Sequence, residues 1–268
     1  MNEKHFSKEH NAFLKSKKIE NIKIKAFRMA ILVFLLLAWE VASKTDLIDS
    51  FLVSSPTRIW WTLVDLQLKG QLWENVIITV SETILGFVFG TALGILFAVI
   101  IWWSEFIFKI LEPYLVVLNA LPKVALGPVI IIWMGAGIKS IIVMALLISV
   151  IISTINILAG FKSVSKSKIL LMKSFGASKF QILKKLVFPS NIEIIVSTLK
   201  INVGMSLIGV ITGEFLVASK GIGYLIVYGG QVFKMDLVMA GIFVLLIIAT
   251  LIYLLVAWLE QLYLKHKK

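Results

Sequence analysis

The chain has 268 residues, of which 59% are hydrophobic and 16% charged, and its mean hydropathy is +0.96. A soluble domain of this size needs far more charge on its surface, so the composition excludes an ordinary soluble fold and indicates a protein solvated mostly by lipid. There is no cysteine, and His5, His10 and His266 lie in polar terminal segments. We therefore expect no disulfide, no thiolate nucleophile, no metal site and no cofactor.

Six segments are long and apolar enough to cross a bilayer core of about 30 Å, which needs roughly 20 residues of helix. They are Ala26–Ala42, Val76–Trp103, Leu111–Met134, Ser140–Phe161, Ile192–Leu216 and Leu237–Leu259. The pattern predicts an all-α polytopic membrane protein with six transmembrane helices. The lysine-rich residues 1–25 lack the apolar core and cleavage site of a signal peptide, so we interpret them as a cytoplasmic tail before a membrane domain over 26–268.

Between the first two spans, Ser55 and Pro56 have the residue types of a helix cap and a first helical position. The following Trp60 and Trp61 suit a membrane interface. This segment is predicted to be a surface helix and not a seventh span.

Lysine and arginine are distributed unequally between the predicted loops. If the N-terminus is cytoplasmic, the inner segments hold 19 of these residues and the outer segments hold six. Cytoplasmic loops retain an excess of positive charge, so both termini are predicted to be cytoplasmic. The net charge of +12 then reflects membrane topology, and we expect no nucleic-acid partner.

The largest inner loop, residues 162–190, holds seven lysines and no acidic residue. Its pattern predicts a short helix over Lys168–Phe175 that ends at Gly176, then a second helix that is capped by Ser178 and stopped by Pro189. The second helix places four apolar residues on one face: Phe180, Leu183, Leu186 and Val187. From the residues alone two interpretations stay open, a helix docked on a partner protein and a helix lying on anionic lipid.

Two glycine patterns have simple interpretations. The sequence Gly135–Ser140, GAGIKS, lacks the spacing of a phosphate-binding loop and is predicted to be a short external turn, so no nucleotide site is expected. Gly86, Gly90 and Gly94 recur every four residues on the second span, which favours close packing against another helix.

Polar residues inside the predicted spans are candidates for a translocation path or for bonds between helices, because they are costly in lipid. They are Glu82, Asn119, Lys123, Asn156, Lys200, Asn202, Ser206 and Glu214. We select Asn119, Lys123, Asn202 and Ser206 for the path, while bonding between helices remains the alternative. Lys200 could pair with Glu193, seven residues earlier on the same face, or could extend its ammonium group to the cytoplasmic interface.

Several segments in order resemble a known family: LAWEVAS, SPTRIWWTLVDL, LNALPKVALGPVIIIWMGAG, the GAS and FPS of the inner loop, and GEFLVASKGIGYLI. They are similar to the binding-protein-dependent transport system inner membrane components of the nitrate/sulfonate/taurine-type branch. The resemblance implies the type I ABC importer permease (MetI-like) fold in a bacterial inner membrane. One departure is that Leu170, Leu171 and Met172 stand where the family usually has Glu-Ala-Ala.

The resemblance further implies that residues 162–190 are a coupling loop that docks on an ATPase. Its implied contact residues are Lys168, Ile169, Leu170, Leu171, Met172, Lys173, Ser174, Phe175, Gly176, Ala177, Ser178 and Pro189. The implied partners are an ABC ATPase subunit, an extracytoplasmic solute-binding protein, a second copy of the chain and membrane lipid. The implied solute is small, either sulfonate-, taurine- or nitrate-like or a thiamine precursor.

The alternative of another class is a self-sufficient secondary transporter or channel. Its expected features are internal repeats, paired broken helices or rings of acidic residues, and we find none in the sequence. The spans also lack a nucleophile–base or metal constellation, so we expect no catalytic residue and assign ATP hydrolysis to a separate subunit.

Overall fold

The computed structural model describes the backbone of residues 8–265 and the side chains of residues 13–262. His5, His266, the side chain of His10 and the first seven residues of the predicted tail lie outside the described residues. Within them the elements are helices α1 (Lys8–Lys44), α2 (Ser50–Val53), α3 (Pro56–Leu68), α4 (Gln71–Trp103), α5 (Glu105–Ala120), a 3-10 turn (Lys123–Leu126), α6 (Gly127–Met134), α7 (Ile138–Ser163), α8 (Lys166–Ser174), α9 (Lys179–Ile182), a π turn (Leu183–Val187), α10 (Phe188–Ser190), α11 (Ile192–Val217), α12 (Ile222–Gln231) and α13 (Met235–Lys265).

Five helices, α1, α4, α7, α11 and α13, are long and apolar enough to cross a membrane. The sixth predicted span is a bent pair, in which α5 meets the segment ending with α6 at 90°. The all-α, six-span prediction is confirmed if this pair is counted as one broken span. The expectation of a single helix over Leu111–Met134 is wrong, because the chain breaks at Leu121 and Pro122, whose ring supplies no N–H to continue the helix.

Two predicted boundaries also differ from the structure. Residues 104–112 form no loop, since α5 begins at Glu105 directly after Ser104, whose side chain accepts a hydrogen bond from the N–H of Ile107 at 3.4 Å. Helix α1 runs without interruption from Lys8 to Lys44, so residues 8–25 of the predicted tail are helical. No glycine or proline occurs in this stretch to end the helix earlier.

The core of the fold is formed by α4, α7 and α11. The three spaced glycines of α4 are buried and face α7, as the sequence predicted. A Cβ added at Gly86 would lie 2.7 Å from the Cβ of Ala145, and one at Gly90 would lie 2.7 Å from the Cβ of Ser149. Only glycine lets the two backbones approach this closely.

The predicted surface helix is confirmed as α3. The Ser55 side chain accepts a hydrogen bond from the N–H of Arg58 at 3.3 Å, and Pro56 is the first helical residue. Arg58 also forms an ion pair of 2.8 Å with Asp236 at the start of α13. This pair fixes the surface helix to the last span.

The predicted turn at Gly135–Ser140 is confirmed over residues 135–137 only, because Ile138 to Ser140 already belong to α7. Gly135 and Gly137 have φ values of 79° and 141°, which other residues rarely adopt, and they connect α6 to α7. Both glycines have open space around the position of a Cβ. Their role is therefore set by backbone conformation and not by close packing.

Candidate functional site

Helix α8 lies in the inner loop, two residues earlier at its start and one earlier at its end than predicted. Gly176 takes the predicted left-handed conformation with φ of 75°. The N–H of Gly176 donates to the carbonyl of Lys173 at 2.9 Å, and the N–H of Ala177 donates to that of Met172 at 3.0 Å. These two bonds close the end of the helix in the Schellman arrangement, which requires the left-handed residue.

Helix α8 has two apolar faces with different surroundings. Ile169 and Met172 pack against a buried cluster that includes Phe161, Ile182 and Val187. Three large apolar side chains point away from this cluster and are 65%, 58% and 79% exposed: Leu170, Leu171 and Phe175. The inner face anchors the helix to the protein, and the outer face is left uncovered.

The second half of the loop begins as predicted. The Ser178 side chain accepts a hydrogen bond from the N–H of Gln181 at 3.3 Å, while Gln181 Oε1 accepts one from the N–H of Ser178 at 2.8 Å. This reciprocal pair is a capping box, which satisfies two amide groups at the start of α9.

The predicted apolar face of the second helix is wrong in one member and its predicted end is wrong by two residues. Phe180 is 60% exposed, and Ile182 is buried instead, together with Leu183 and Val187. The wider turns of the π turn Leu183–Val187 bring residues five apart, such as Ile182 and Val187, onto one face. Pro189 does not stop the helix, which continues to Ser190.

The wide turn also explains how Pro189 is accommodated. In a regular helix the N–H of residue 189 would donate to the carbonyl four residues earlier, and proline has no N–H. The π turn lies where this bond would form, so the chain stays helical to Ser190. The chain then bends at Asn191, where α11 begins.

The four residues selected for the translocation path fall into two different surroundings. Lys123 Nζ donates a hydrogen bond of 3.1 Å to the backbone carbonyl of Asn119 and so bridges the break between α5 and the 3-10 turn. Asn119 is exposed and Lys123 is half-buried. These two residues therefore lie together at the broken span.

Asn202 and Ser206 are fully buried between the core helices. Asn202 Nδ2 donates to Thr91 Oγ1 on α4 at 2.6 Å, which is a bond between helices. The structure thus places this pair in the core of the chain, away from its exposed surface. Lys200 pairs with Glu260 on α13, so the expected pair with the exposed Glu193 is wrong.

A polar cluster that the sequence did not predict lies at the corner where α11 turns into α12. Glu214 Oε1 accepts a hydrogen bond from Thr79 Oγ1 at 2.6 Å, and Oε2 accepts one from the N–H of Gly223 at 2.5 Å. Asn75 Oδ1 accepts the N–H of Gly221 at 2.6 Å. The signal that could have indicated this cluster is the glycine pair Gly221 and Gly223 shortly after a glutamate.

The sequence and the fold are similar to those of known proteins. A family model described as "Binding-protein-dependent transport system inner membrane component" matches residues 90–265. The chain is 28% identical over 234 residues to the formylaminopyrimidine transport permease protein ThiX of Halalkalibacterium halodurans. The aligned region covers 87% of this chain and 93% of that protein. The chain is 27% identical over 228 residues to the taurine transport system permease protein TauC of Escherichia coli, covering 83% of each.

Solved structures show the same fold. A bacterial ABC transporter involved in the import of the acidic polysaccharide alginate superposes with a TM-score of 0.62 at 17% identity, covering 91% of this chain and 98% of that chain. An amino acid ABC transporter superposes with a TM-score of 0.57 at 14% identity, covering 76% and 97%. The predicted type I ABC importer permease fold is confirmed.

These likenesses extend over most of the chain and agree with its apolar helices. The family is a class of non-enzymatic membrane subunits of ABC importers, which work with ATPase and binding-protein partners in the bacterial inner membrane. With well over half of its residues matched by the family model, this chain belongs to the binding-protein-dependent transport system inner membrane components and is the permease subunit of an ABC importer.

Proposed function

We propose that two copies of this permease enclose a translocation path and that each copy holds one ABC ATPase on the outer face of α8. An extracytoplasmic binding protein delivers the solute, and ATP hydrolysis takes place on the partner subunit. The observation that carries this proposal is the uncovered apolar face of α8, with Leu170, Leu171 and Phe175 exposed on a helix that the rest of the loop holds in place. A cluster of exposed apolar side chains marks an interaction site for a protein or a membrane, and we propose a protein partner here.

The charge of the loop supports the same partner. Residues 162–190 contain seven lysines and no acidic residue. We therefore propose a docking groove with an apolar floor for Leu170 and Leu171 and an acidic rim opposite the exposed lysines of α8, Lys166, Lys168 and Lys173, since complementary charge guides association and selects the partner. This groove differs from one built for the Glu-Ala-Ala that the family usually carries.

The proposed mechanism is alternating access with both termini in the cytoplasm. Closure of the two ATPases would bring the two α8 helices toward each other, and the rigid spans would pass this movement to the outer side. The excess of lysine and arginine in the inner segments supports this orientation. Membrane lipid surrounds the outer faces of the spans.

For the path itself we propose Asn119 and Lys123, because they meet at the break of the α5–α6 span. Irregular backbone at membrane depth is tolerated where it lines a cavity or is covered by protein. Asn202 and Ser206 remain predicted path residues, although their burial in the three-helix core supports the alternative of bonding between helices. Their contribution would require the core helices to separate during transport.

For the solute we propose a small molecule of the sulfonate, taurine or nitrate kind or a thiamine precursor. This proposal rests on the names of the relatives, which include permeases for taurine and for formylaminopyrimidine. Thermal-shift measurements on the partner binding protein with taurine, nitrate and formylaminopyrimidine would test it. A binding protein stabilised by none of the three would contradict it.

The docking proposal is tested at Gly176, where a Cβ has open space around it but the φ of 75° is unfavourable for a side chain. Gly176→Val places a β-branched residue in this conformation at a cost of about 1–2 kcal/mol, whereas Gly176→Asn is tolerated there. We expect the valine variant to insert in the membrane but to lose the ATPase on co-purification. The asparagine variant should retain it.

The lipid-surface alternative predicts a different result. If lysines attached the loop to anionic lipid, replacing Lys179, Lys184 and Lys185 by glutamine would release it, and Gly176→Val would be mild. Co-purification of the ATPase with the glycine variants and with the triple glutamine variant, in detergent at fixed salt, separates the two. Full capture by Gly176→Val would contradict the docking proposal.

A further inference from the structure

The inner loop is attached to the corner between α4 and α5. Helix α4 ends at Trp103, Ser104 alone separates it from α5, and α5 leads to the broken span at Leu121 and Pro122. Any movement of this corner therefore acts on the inner end of the broken span. Two lysines of the loop region contact the corner from the same side.

The first contact is made by Lys179, the first residue of α9. Its Nζ donates a hydrogen bond to the backbone carbonyl of Trp103, the last residue of α4. Carbonyls at a helix C-terminus have no partner in the helix and carry partial negative charge, so a lysine is favoured there. The same ammonium lies 6.0 Å from the ring centre of Trp102 and 5.8 Å from that of Trp103, within the range of a cation–π contact.

The second contact is made by Lys162, near the end of α7. It forms an ion pair with Glu105, the first residue of α5. Its Nζ also lies 3.8 Å from the ring centre of Phe108, one turn further along α5. Lys162 thus holds the start of α5 while Lys179 holds the end of α4.

An apolar cluster fills the space between these two contacts. It contains buried residues from α4, α7 and the loop, and Ile169 and Met172 of α8 pack against it together with residues of α5. Tightly packed interiors deform little and transmit displacement. The loop and the α4–α5 corner are therefore expected to move as one body.

We propose that Lys179 is a positioning residue that links the movement of the docked loop to the broken span α5–α6 through the α4–α5 corner. The proposal rests on the proposed docking of the ATPase on α8. Lys179 is the first residue of α9, outside α8, and its described contacts are with Trp102 and Trp103 and not with Leu170 or Leu171. Its loss should therefore affect the transmission of movement more than the capture of the ATPase.

The test uses the complete complex of permease and ATPase in liposomes, with a single cysteine at Val124. This position is 55% exposed beside the break, and the natural chain has no cysteine that would interfere. A fluorescent label on this cysteine reports the change in fluorescence when the complex is trapped with ATP and vanadate. In Lys179→Met we expect this change to fall roughly fivefold, which corresponds to the loss of one exposed hydrogen bond of about 1 kcal/mol, while ATPase capture stays unchanged.

Two variants serve as controls. Lys179→Arg keeps a cation and a hydrogen-bond donor and should restore the response of the label. If Lys179 had only a structural role, Lys179→Met would lose stability and ATPase capture together with the response. Lys184→Met removes an exposed lysine of the same loop that makes none of these contacts and should respond like the natural chain.

The outcomes are separable. If Lys184→Met and the natural chain fail to capture the ATPase, the docking proposal itself is contradicted. If ATPase capture is intact and the label in Lys179→Met shows the full fluorescence change, the role of Lys179 is overturned. The same holds if the label at position 124 shows no change on adding nucleotide when Lys179 is present.

Discussion

Glu214 accepts a hydrogen bond of 2.5 Å from the backbone N–H of Gly223, across the corner where α11 turns into α12. A Cβ at Gly223 would lie 2.7 Å from the Glu214 carboxylate, so the bond requires glycine at this place. The carboxyl group sits at the N-terminus of α12, where the amide groups have no partner within the helix. This contact fixes the corner between α11 and α12.

Replacing the carboxylate by an amide should weaken the corner. In Glu214→Gln one carboxylate oxygen becomes an NH₂ group, which cannot accept a hydrogen bond. Either the hydroxyl of Thr79 or the N–H of Gly223 then loses its acceptor, at a cost of about 1–3 kcal/mol. We expect a lower midpoint of thermal aggregation in detergent. The control is Glu193→Gln on the same helix, which is exposed and should behave like the natural chain. Equal midpoints for the two variants would contradict this account of the corner.

Glu82 should respond differently from Glu214. Glu82 is buried on α4, and its Oε2 has no hydrogen-bond partner among the described residues. Glu214, by contrast, accepts bonds from Thr79 and Gly223. Glu82→Gln keeps the shape of the side chain and breaks none of these bonds, so its thermal midpoint should stay close to the natural value. A loss as large as that of Glu214→Gln would contradict this difference between the two glutamates.

The closest helix approach can be tested with two glycines of α11. A Cβ at Gly209 would lie 2.5 Å from the Cα of Ala145 on α7, whereas one at Gly204 meets nothing within 4 Å. Gly209→Ala should separate the two helices and destabilise the protein by about 1–3 kcal/mol. Gly204→Ala should be neutral or stabilising by up to about 1 kcal/mol, because alanine favours the helix. Size-exclusion profiles after heating would compare them, and equal profiles would contradict the proposed close contact.

The orientation of the chain can be tested by single cysteines at exposed positions. Leu47 and Ser219 lie in predicted outer segments, and Ser165 lies in the inner loop. Labelling of intact cells with an impermeant maleimide should reach the first two, and Ser165→Cys should react only after permeabilisation. Reaction of Ser165→Cys in intact cells would reverse the proposed topology.

Uptake measurements test the path residues. Lys123→Ala removes the bond to the Asn119 carbonyl at the break, and we expect lower uptake of the solute that the binding-protein assay identifies, with ATPase capture unchanged. The control is Lys139→Ala, in the outer turn after the same span. Normal uptake by Lys123→Ala would make this residue a packing residue only.

The sequence by itself determined the features that depend on neighbouring residues. Apolar length indicated the spans, Ser55 and Pro56 indicated the start of the surface helix, and Gly176 and Ser178 indicated the end of one loop helix and the start of the next. These features follow from local chemistry: a cap needs a side-chain oxygen two or three residues before the amide it binds, and a left-handed turn needs glycine.

The tertiary structure alone decided the contacts between distant segments. Asn202 bonds Thr91, 111 residues away, and Glu214 bonds Thr79, 135 residues away. The partner of Lys200 and the exposure of Phe180 were likewise misjudged from helical periodicity. Periodicity gives the direction of a side chain on its own helix, but the helix that meets it depends on how the spans pack. In lipid both sides of a span can be apolar, so hydropathy does not distinguish the face that packs from the face that meets lipid.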